Sequence, residues 1–434
     1  MTKERVVVRD VVKIFGSQDK EAAALLRDGV PRNEVIERTG GVIGLGGASF
    51  SVEEGEILVV MGLSGSGKST MLRCINRLIE PTAGSITVDG TEVTTLTPKQ
   101  LLQFRREKFG MVFQHFALFP NRTIAENVEY GLEVQKVDKA KRRQKALEAI
   151  ELVGLKGWDA KYPRQLSGGM QQRAGLARAL AVDADILLMD EAFSALDPLI
   201  RRDMQNELGT LQRNLKKTIV FVSHDLDEAI HLGGRIVLMK DGLIVQTGYP
   251  EEILLNPADD YVRRFVENID VSSVITLGRL ASRRSPALPR HKSVGDLREA
   301  VAAAEDPILV VTCEHNRPVG CVSREAVLAA KPDAEIASLI EAEIPTADGS
   351  KVLKSALRKL SAHPAGLAVT DADGRYVGTV TQDMALAALT GTSAELDAAA
   401  QSERENAWTG ASPNSHWTTS ATTPSPGSPS TSPH

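Results

Sequence analysis

Cysteine is scarce: Cys74, Cys313 and Cys321 are the only three among 434 residues. They are too scattered for a disulfide framework or a thiolate metal site, which fits a reducing compartment. Long apolar runs are missing as well, none approaching the roughly 20 residues that span a bilayer. The N-terminus, Met1-Thr2-Lys3-Glu4-Arg5, lacks the apolar core of a secretory signal. Charge of one sign is not in excess either. A formal net charge of -5 gives no bulk attraction to nucleic acid or to an anionic membrane. No heptads are sustained, so no coiled coil is expected. Together these absences lead to the expectation of a cytosolic chain that reaches a membrane only through a partner.

The chain is longer than one average domain, and two or three are expected. With 42% hydrophobic and 25% charged residues, it has the composition of an ordinary globular protein with a sizeable core. Residues 5–15 alternate as a strand would. An irregular, charged segment follows to about Gly47, with helical patterning at Lys20–Arg27 and Glu34–Arg38. From Ala48 to Thr70 the order reads strand, Glu-Glu-Gly turn, strand, loop, helix. The short apolar runs Ile57–Met61, Ile186–Met189, Ile219–Val222 and Ile236–Met239 read as buried strands. Alternation of α and β segments to about Gly248 indicates an α/β architecture.

The loop Gly62-Leu63-Ser64-Gly65-Ser66-Gly67-Lys68-Ser69-Thr70 is a complete phosphate-binding pattern. Its glycines let the chain curl so that backbone N–H groups face the phosphates, and the helix that follows adds its positive end. Lys68 would reach the β and γ phosphates, and the Ser69 hydroxyl would ligate Mg²⁺. Downstream, Ile186-Leu187-Leu188-Met189-Asp190-Glu191 is an apolar run that ends in two acids. Alone, such acids are common solvent-facing residues. After a phosphate loop, Asp190 is expected to hold the metal and Glu191 to polarise the attacking water. Ser167, Gly168 and Gly169 stand just before a helix expected over Met170–Leu180, a second anion-binding N-terminus.

The phosphate loop and Leu166-Ser167-Gly168-Gly169-Met170-Gln171-Gln172-Arg173 together resemble the ATP-binding cassette (ABC) family. That resemblance implies an ATP-dependent dimer in which each copy lends its Ser-Gly-Gly segment to the other's nucleotide. It also implies that Gln114 senses metal and water, that His224 meets the γ-phosphate, and that Asp197 lies on the loop crossing the dimer interface. Phe15 takes the place of the aromatic residue that stacks on adenine. The implied binding set is Phe15, Gly62, Ser64, Gly65, Ser66, Gly67, Lys68, Ser69, Thr70, Ser167, Gly168, Gly169 and Asp197. Glu191, His224 and Gln114 are the catalytic set, and Ser69, Gln114 and Asp190 the metal set.

The segment between Phe15 and Gly47 is longer than in the common cassette. It resembles an insertion in the ATPase subunits of glycine betaine/proline betaine importers. So does the run from Val112 to Thr123, where Phe116, Leu118 and Phe119 suit either a core or a socket for a permease. Residues 293–390 carry two copies of a strand–turn–strand–helix pattern, each after its own amphipathic helix (Val294–Ala304; Val352–Leu360) and about 58 residues apart. The pair looks like tandem cystathionine-β-synthase-type (CBS) motifs, which in that importer family regulate transport by ionic strength, and in some members by a cyclic dinucleotide. The acids Glu325 and Asp383 follow Ser323 and Thr381 one residue earlier than in nucleotide-binding pairs, which counts against an adenosine-type ligand. The basic cluster Arg283, Arg284, Arg290, His291 and Lys292 suits a solvated linker or an anionic lipid contact. Of the 33 residues in 402–434, 19 are Ser, Thr or Pro, the composition of a disordered tail.

The expected fold is therefore an α/β P-loop NTPase of ABC type over 1–270, with an α-helical subdomain at about 100–180. A tandem CBS (α+β) module follows over 271–392, then a Ser/Thr/Pro-rich tail over 393–434. ATP and Mg²⁺ are the expected cofactors. Expected partners are an integral membrane permease, a second copy of the chain and a substrate-binding protein, with no nucleic acid, at the cytoplasmic face of the membrane. The cargo implied is a quaternary-amine osmolyte. An amino-acid importer ATPase and a soluble non-transport ABC protein remain alternatives.

Overall fold

The computed structural model describes residues 3–390, apart from His115, Ala195, Asn268, Arg284, Pro364 and the side chain of Arg213. The expected tail at 393–434, and Arg284 of the basic cluster, lie outside the described residues. Two compact units divide between Val274 and Ile275, a few residues beyond the expected boundary. Among the described residues no helix is long and apolar enough to cross a membrane.

The first unit is built on a six-stranded sheet in the order Leu243–Gly248, Arg235–Lys240, Ile57–Met61, Thr218–Val222, Ile186–Asp190, Phe109–Val112. Neighbours run parallel except Leu243–Gly248, an antiparallel edge. Every residue of Ile57–Met61, Ile186–Asp190 and Thr218–Val222 is buried, as strands covered on both faces must be, which is why they read as unbroken apolar runs. The alternation of side chains divides them between two cores. Val59, Met61, Leu187 and Phe221 join one, with Ile124, Val128 and Leu176. Leu58, Val60, Leu188 and Val220 join the other, with Met71, Leu72 and Ile75 of the helix Lys68–Ile75 and with Val6, Val8 and Leu45.

Those last residues belong to a second, antiparallel sheet in the order Val42–Glu53, Glu4–Phe15, Ala83–Val88, Thr91–Glu92. Here the sequence expectation needs correction. The segment before Gly47 is not irregular to its end, because a strand begins at Val42 and pairs with Glu4–Phe15 along its length. Gly44, Gly46 and Gly47 carry no side chains, so the alternation that would reveal a strand is blank there. The preceding segment forms two helices, Asp19–Arg27 and Arg32–Thr39.

Helices Pro98–Lys108, Ile124–Val134, Lys139–Leu152 and Gly168–Ala181 fill the stretch between the strands Phe109–Val112 and Ile186–Asp190 and its approach. A capping box starts the second: Thr123 N donates to Glu126 Oε2 at 2.7 Å and Glu126 N to Thr123 Oγ1 at 3.3 Å. Phe116 and Leu118 pack against the core, half-buried. Phe119 stays exposed and sets its ring edge-on to Tyr130 at 4.6 Å.

The second unit is a structural repeat. Its two three-stranded sheets are Leu288–Pro289, Ile308–Thr312, Pro318–Ser323 and Thr346–Asp348, Leu367–Thr370, Tyr376–Val380, each with one parallel and one antiparallel pairing. The registers correspond: Val311 opposes Gly320 and Val369 opposes Gly378, and a bulge follows in each copy before Thr312 and Thr370. The copies also trade their leading segments. Ser282, ahead of the first copy, bridges Thr379 of the second, while Ala342, ahead of the second, bridges Cys321 of the first. Likewise Thr276 pairs with Val352, and Glu335 with Ser293.

Candidate functional site

Four parallel strands end at one edge of the six-stranded sheet and deliver the candidate residues there. Ile57–Met61 runs into the loop 62–67, Ile186–Asp190 ends on the two acids, Thr218–Val222 precedes Ser223-His224, and Phe109–Val112 precedes Gln114. The carboxyl edge of a parallel sheet is where α/β proteins place ligands.

The loop is held from behind by the turn that joins the two antiparallel strands. Gly242 N donates to Ser66 O at 3.0 Å, and Gly46 N donates to Gly242 O at 2.9 Å. Gly62 sits at φ 142° with no room for a side chain, since a Cβ would lie 2.1 Å from Met239 O. Lys68 is buried, its Nζ donating to Gly62 O at 2.9 Å and Leu63 O at 3.1 Å. Burial pushes its ammonium below the ordinary lysine range, opposed by the nearby Glu191 and Asp190 carboxylates.

Two clusters gather in front of the loop. In the first, Ser69 Oγ donates to Asp190 Oδ1 at 2.7 Å, and Arg73 Nη2 to Asp190 Oδ2 at 3.0 Å. In the second, Gln114 Nε2 donates to Glu191 Oε2 at 3.1 Å, with His224 Nδ1 3.6 Å from the same oxygen. Glu191 takes a left-handed backbone, φ 45°. It is pinned there by its N–H to Val222 O at 3.1 Å and by Ser194 Oγ donating to Glu191 O at 2.9 Å. A non-glycine residue held in this region is strained, and here the strain aims a carboxylate at the site.

The residues present fit a nucleotide triphosphate with its metal. Ser66 Oγ is buried without a hydrogen-bond partner, a donor available to a phosphate oxygen. Ser69 and Asp190 offer hard oxygen ligands, the chemistry magnesium prefers. Ser64 and Gly65 are exposed at the apex of the loop. Thr70 lies on the loop helix, and its Cγ2 and the half-exposed Phe15 ring both border Gly44. That ring carries Lys13 Nζ 5.0 Å from its centroid.

Ser167, Gly168 and Gly169 stand at the start of the helix Gly168–Ala181, not at the end of one of these four strands. Ser167 and Gly168 are exposed, and Ser167 caps the helix Gly168–Ala181 by accepting from Met170 N at 3.4 Å. Gly169 is buried against Ile200, where a Cβ would come within 2.6 Å of a methyl group, so packing alone demands glycine there. Asp197 is exposed at the cap of the helix Pro198–Leu215.

Arg73 and a polar network behind His224 were not among the sequence candidates. Ser223 Oγ donates to Glu228 Oε2 at 2.5 Å and Gln205 Nε2 to Glu228 Oε1 at 3.1 Å. Arg201 Nη1 donates to Asp225 Oδ2 at 3.2 Å, and Nη2 to Leu196 O at 3.2 Å and Ser194 O at 3.4 Å. One guanidinium thus joins the loop that ends in Asp197 to the segment that carries His224. Burial raises the Glu228 carboxyl above the usual range, with the Ser223 hydrogen bond working against it. Helical spacing could have pointed to two of these, because Arg73 follows Ser69, and Arg201 follows Asp197, by one turn.

Known proteins resemble the chain along most of its length. The ABC transporter family model matches residues 45–194. The chain is 46% identical over 414 residues to the glycine betaine transport ATP-binding protein OpuAA of Bacillus subtilis (strain 168), a match covering 92% of this chain and 96% of the relative. It is 47% identical over 400 residues to the glycine betaine/carnitine transport ATP-binding protein GbuA of Listeria monocytogenes, covering 91% and 100%. To the glycine betaine/proline betaine transport system ATP-binding protein ProV of Escherichia coli (strain K12) it is 44% identical over 390 residues, covering 89% and 97%.

Proposed function

The chain belongs to the ABC transporter family as an ATP-binding subunit of the glycine betaine/proline betaine type, and from that premise we propose how its residues energise uptake. ATP sits on the loop 62–70, its base on Phe15 and its phosphates on the loop N–H groups, Lys68 and Ser66 Oγ. Ser69, Asp190 and Gln114 are the residues that would hold Mg²⁺, which supplies charge neutralisation on the phosphates when bound. Glu191, aimed by its strained backbone and bracketed by Gln114 and His224, orients the attacking water, and His224 meets the γ-phosphate. The observation that carries the reading is this convergence of Ser69–Asp190 and Gln114–Glu191–His224 on one sheet edge.

A second copy of the chain completes the site. Ser167 and Gly168 are exposed at a helix N-terminus, with Gly169 buried against Ile200, which suits presentation of the segment to the nucleotide of a partner copy, with Asp197 at the crossing point. The dimer works at the cytoplasmic face of the membrane on a separate integral permease, fed by a substrate-binding protein. The test is uptake of labelled glycine betaine at raised osmolarity in cells that lack the chain. Uptake is expected to return with the intact chain and not with Lys68→Ala. Uptake that never depended on the chain would point to another cargo.

The repeat of the second unit supports a tandem CBS-type regulatory module over residues 271–392, after an ATPase domain over 1–270. Removing 276–392 is expected to leave ATP hydrolysis by the assembled transporter intact and to flatten its dependence on ionic strength. A salt titration of ATPase activity checks this, and an unchanged curve would remove the module as the sensor.

A further inference from the structure

The helices Asp19–Arg27 and Arg32–Thr39 are inserted between two strand ends that face each other, Phe15 opposite Val42. Residues paired across an antiparallel ladder share a face. Ile14 and Ile43 turn inward and form a small core with Ala22 and Val35 of the insertion. Phe15 and Val42 turn the other way and are 42% and 66% exposed. The insertion therefore backs a two-residue apolar platform that is open on its outer side.

The platform is tied toward the phosphate loop. The Phe15 ring lies on Gly44, where a Cβ would be 2.9 Å from ring Cε2 and 3.4 Å from Thr70 Cγ2. Any larger residue at 44 would lift the ring away from the loop helix. Behind the platform, Arg32 Nη2 donates to Ile43 O at 2.9 Å, and Nη1 donates to Asp241 O. Asp241 begins the turn whose Gly242 N holds Ser66 O at 3.0 Å. One rigid guanidinium thus spans from the strand that carries the base platform to the turn that fixes the phosphate loop.

We propose that Arg32 sets the separation between the base platform of Phe15 and Val42 and the phosphate loop, making the inserted hairpin a gauge for the nucleoside end of ATP. The inference rests on the reading of Phe15 as the base platform. A planar fork can hold two carbonyls at a fixed distance, whereas a lysine is a single flexible point charge. Arg32 is a positioning residue, and Val42 is a base contact not assigned by the motifs.

The test compares affinities of the full-length chain for Mg-ATP and for magnesium tripolyphosphate, which has no base. Arg32→Ala is expected to weaken ATP by about fivefold while tripolyphosphate changes by less than about twofold. Arg32→Lys should not restore the ATP affinity, and it supplies the answer if the alanine variant fails to fold. If both affinities fall together, or neither moves, Arg32 is only a brace and the gauge is overturned. Phe15→Ala separates the two readings. A preserved ATP preference in Phe15→Ala overturns the platform itself. Loss of preference in Phe15→Ala, with the preference kept in both Arg32 variants, overturns the gauge alone.

Discussion

Glu191→Gln is expected to lower ATP turnover by at least about a hundredfold while ATP still binds. The amide has the size of the carboxylate and can keep a hydrogen bond to Gln114, whose Nε2 sits 3.1 Å from Glu191 Oε2. What it lacks is the negative charge that polarises water. Lys68, Ser69 and Asp190 are untouched, so the phosphates and metal keep their ligands. ATP that binds without being cleaved should hold two copies together, and gel filtration of the variant with ATP should show a dimer. Phosphate release and equilibrium ATP binding check the two halves of the expectation. Turnover at the normal rate would falsify the assignment of Glu191 and shift the water-orienting role to its neighbours Gln114 and His224.

The second large effect comes from a single methyl group. Gly62→Ala places a Cβ 2.1 Å from Met239 O and 2.7 Å from Ser66 Oγ, at a φ of 142° that side chains rarely tolerate. Met239 lies on a neighbouring sheet strand and is paired with Ile244, so its carbonyl cannot retreat without disturbing that ladder. The loop must move instead, and with it the carbonyl that accepts from Lys68. A stability loss of about 3 kcal/mol is expected, together with loss of measurable ATP binding. Gly65→Ala is the control for folding stability, because its added Cβ meets no protein atom within 4 Å and only the backbone preference opposes it. Thermal melting and ATP titration of both variants read the difference. Equal, small effects would mean that the loop does not press against that strand.

Why some of this was legible in the amino acids and some was not follows from where each signal resides. Strands such as Ile57–Met61 and Ile186–Asp190 announce themselves because burial on both faces requires apolar residues at every position. The first half of Val42–Glu53 hides because Gly44, Gly46 and Gly47 have nothing to alternate. Lys68, Ser69, Asp190 and Glu191 could be picked out as candidates because their motifs confine them to a loop and a strand tip. Asp225 and Glu228 could not, because their partnership with Arg201 exists only after the helix Pro198–Leu215 folds back beside His224. Ser167–Gly169 read as a candidate anion site, yet no local rule says whose anion it would hold. The repeat was visible as a period, while the exchange of leading segments was not, since single bridges such as Ser282–Thr379 carry no pattern of their own.

That exchange has a consequence for how the second unit holds together. The outer edges of Pro318–Ser323 and Tyr376–Val380 are each covered by a segment from the other copy. Neither half owns a finished border, and an uncovered border of a sheet is an invitation to pair with any chain nearby. The halves are therefore hostages to one another. A disturbance that loosens one strips the other's margin, so the two halves are expected to give way together.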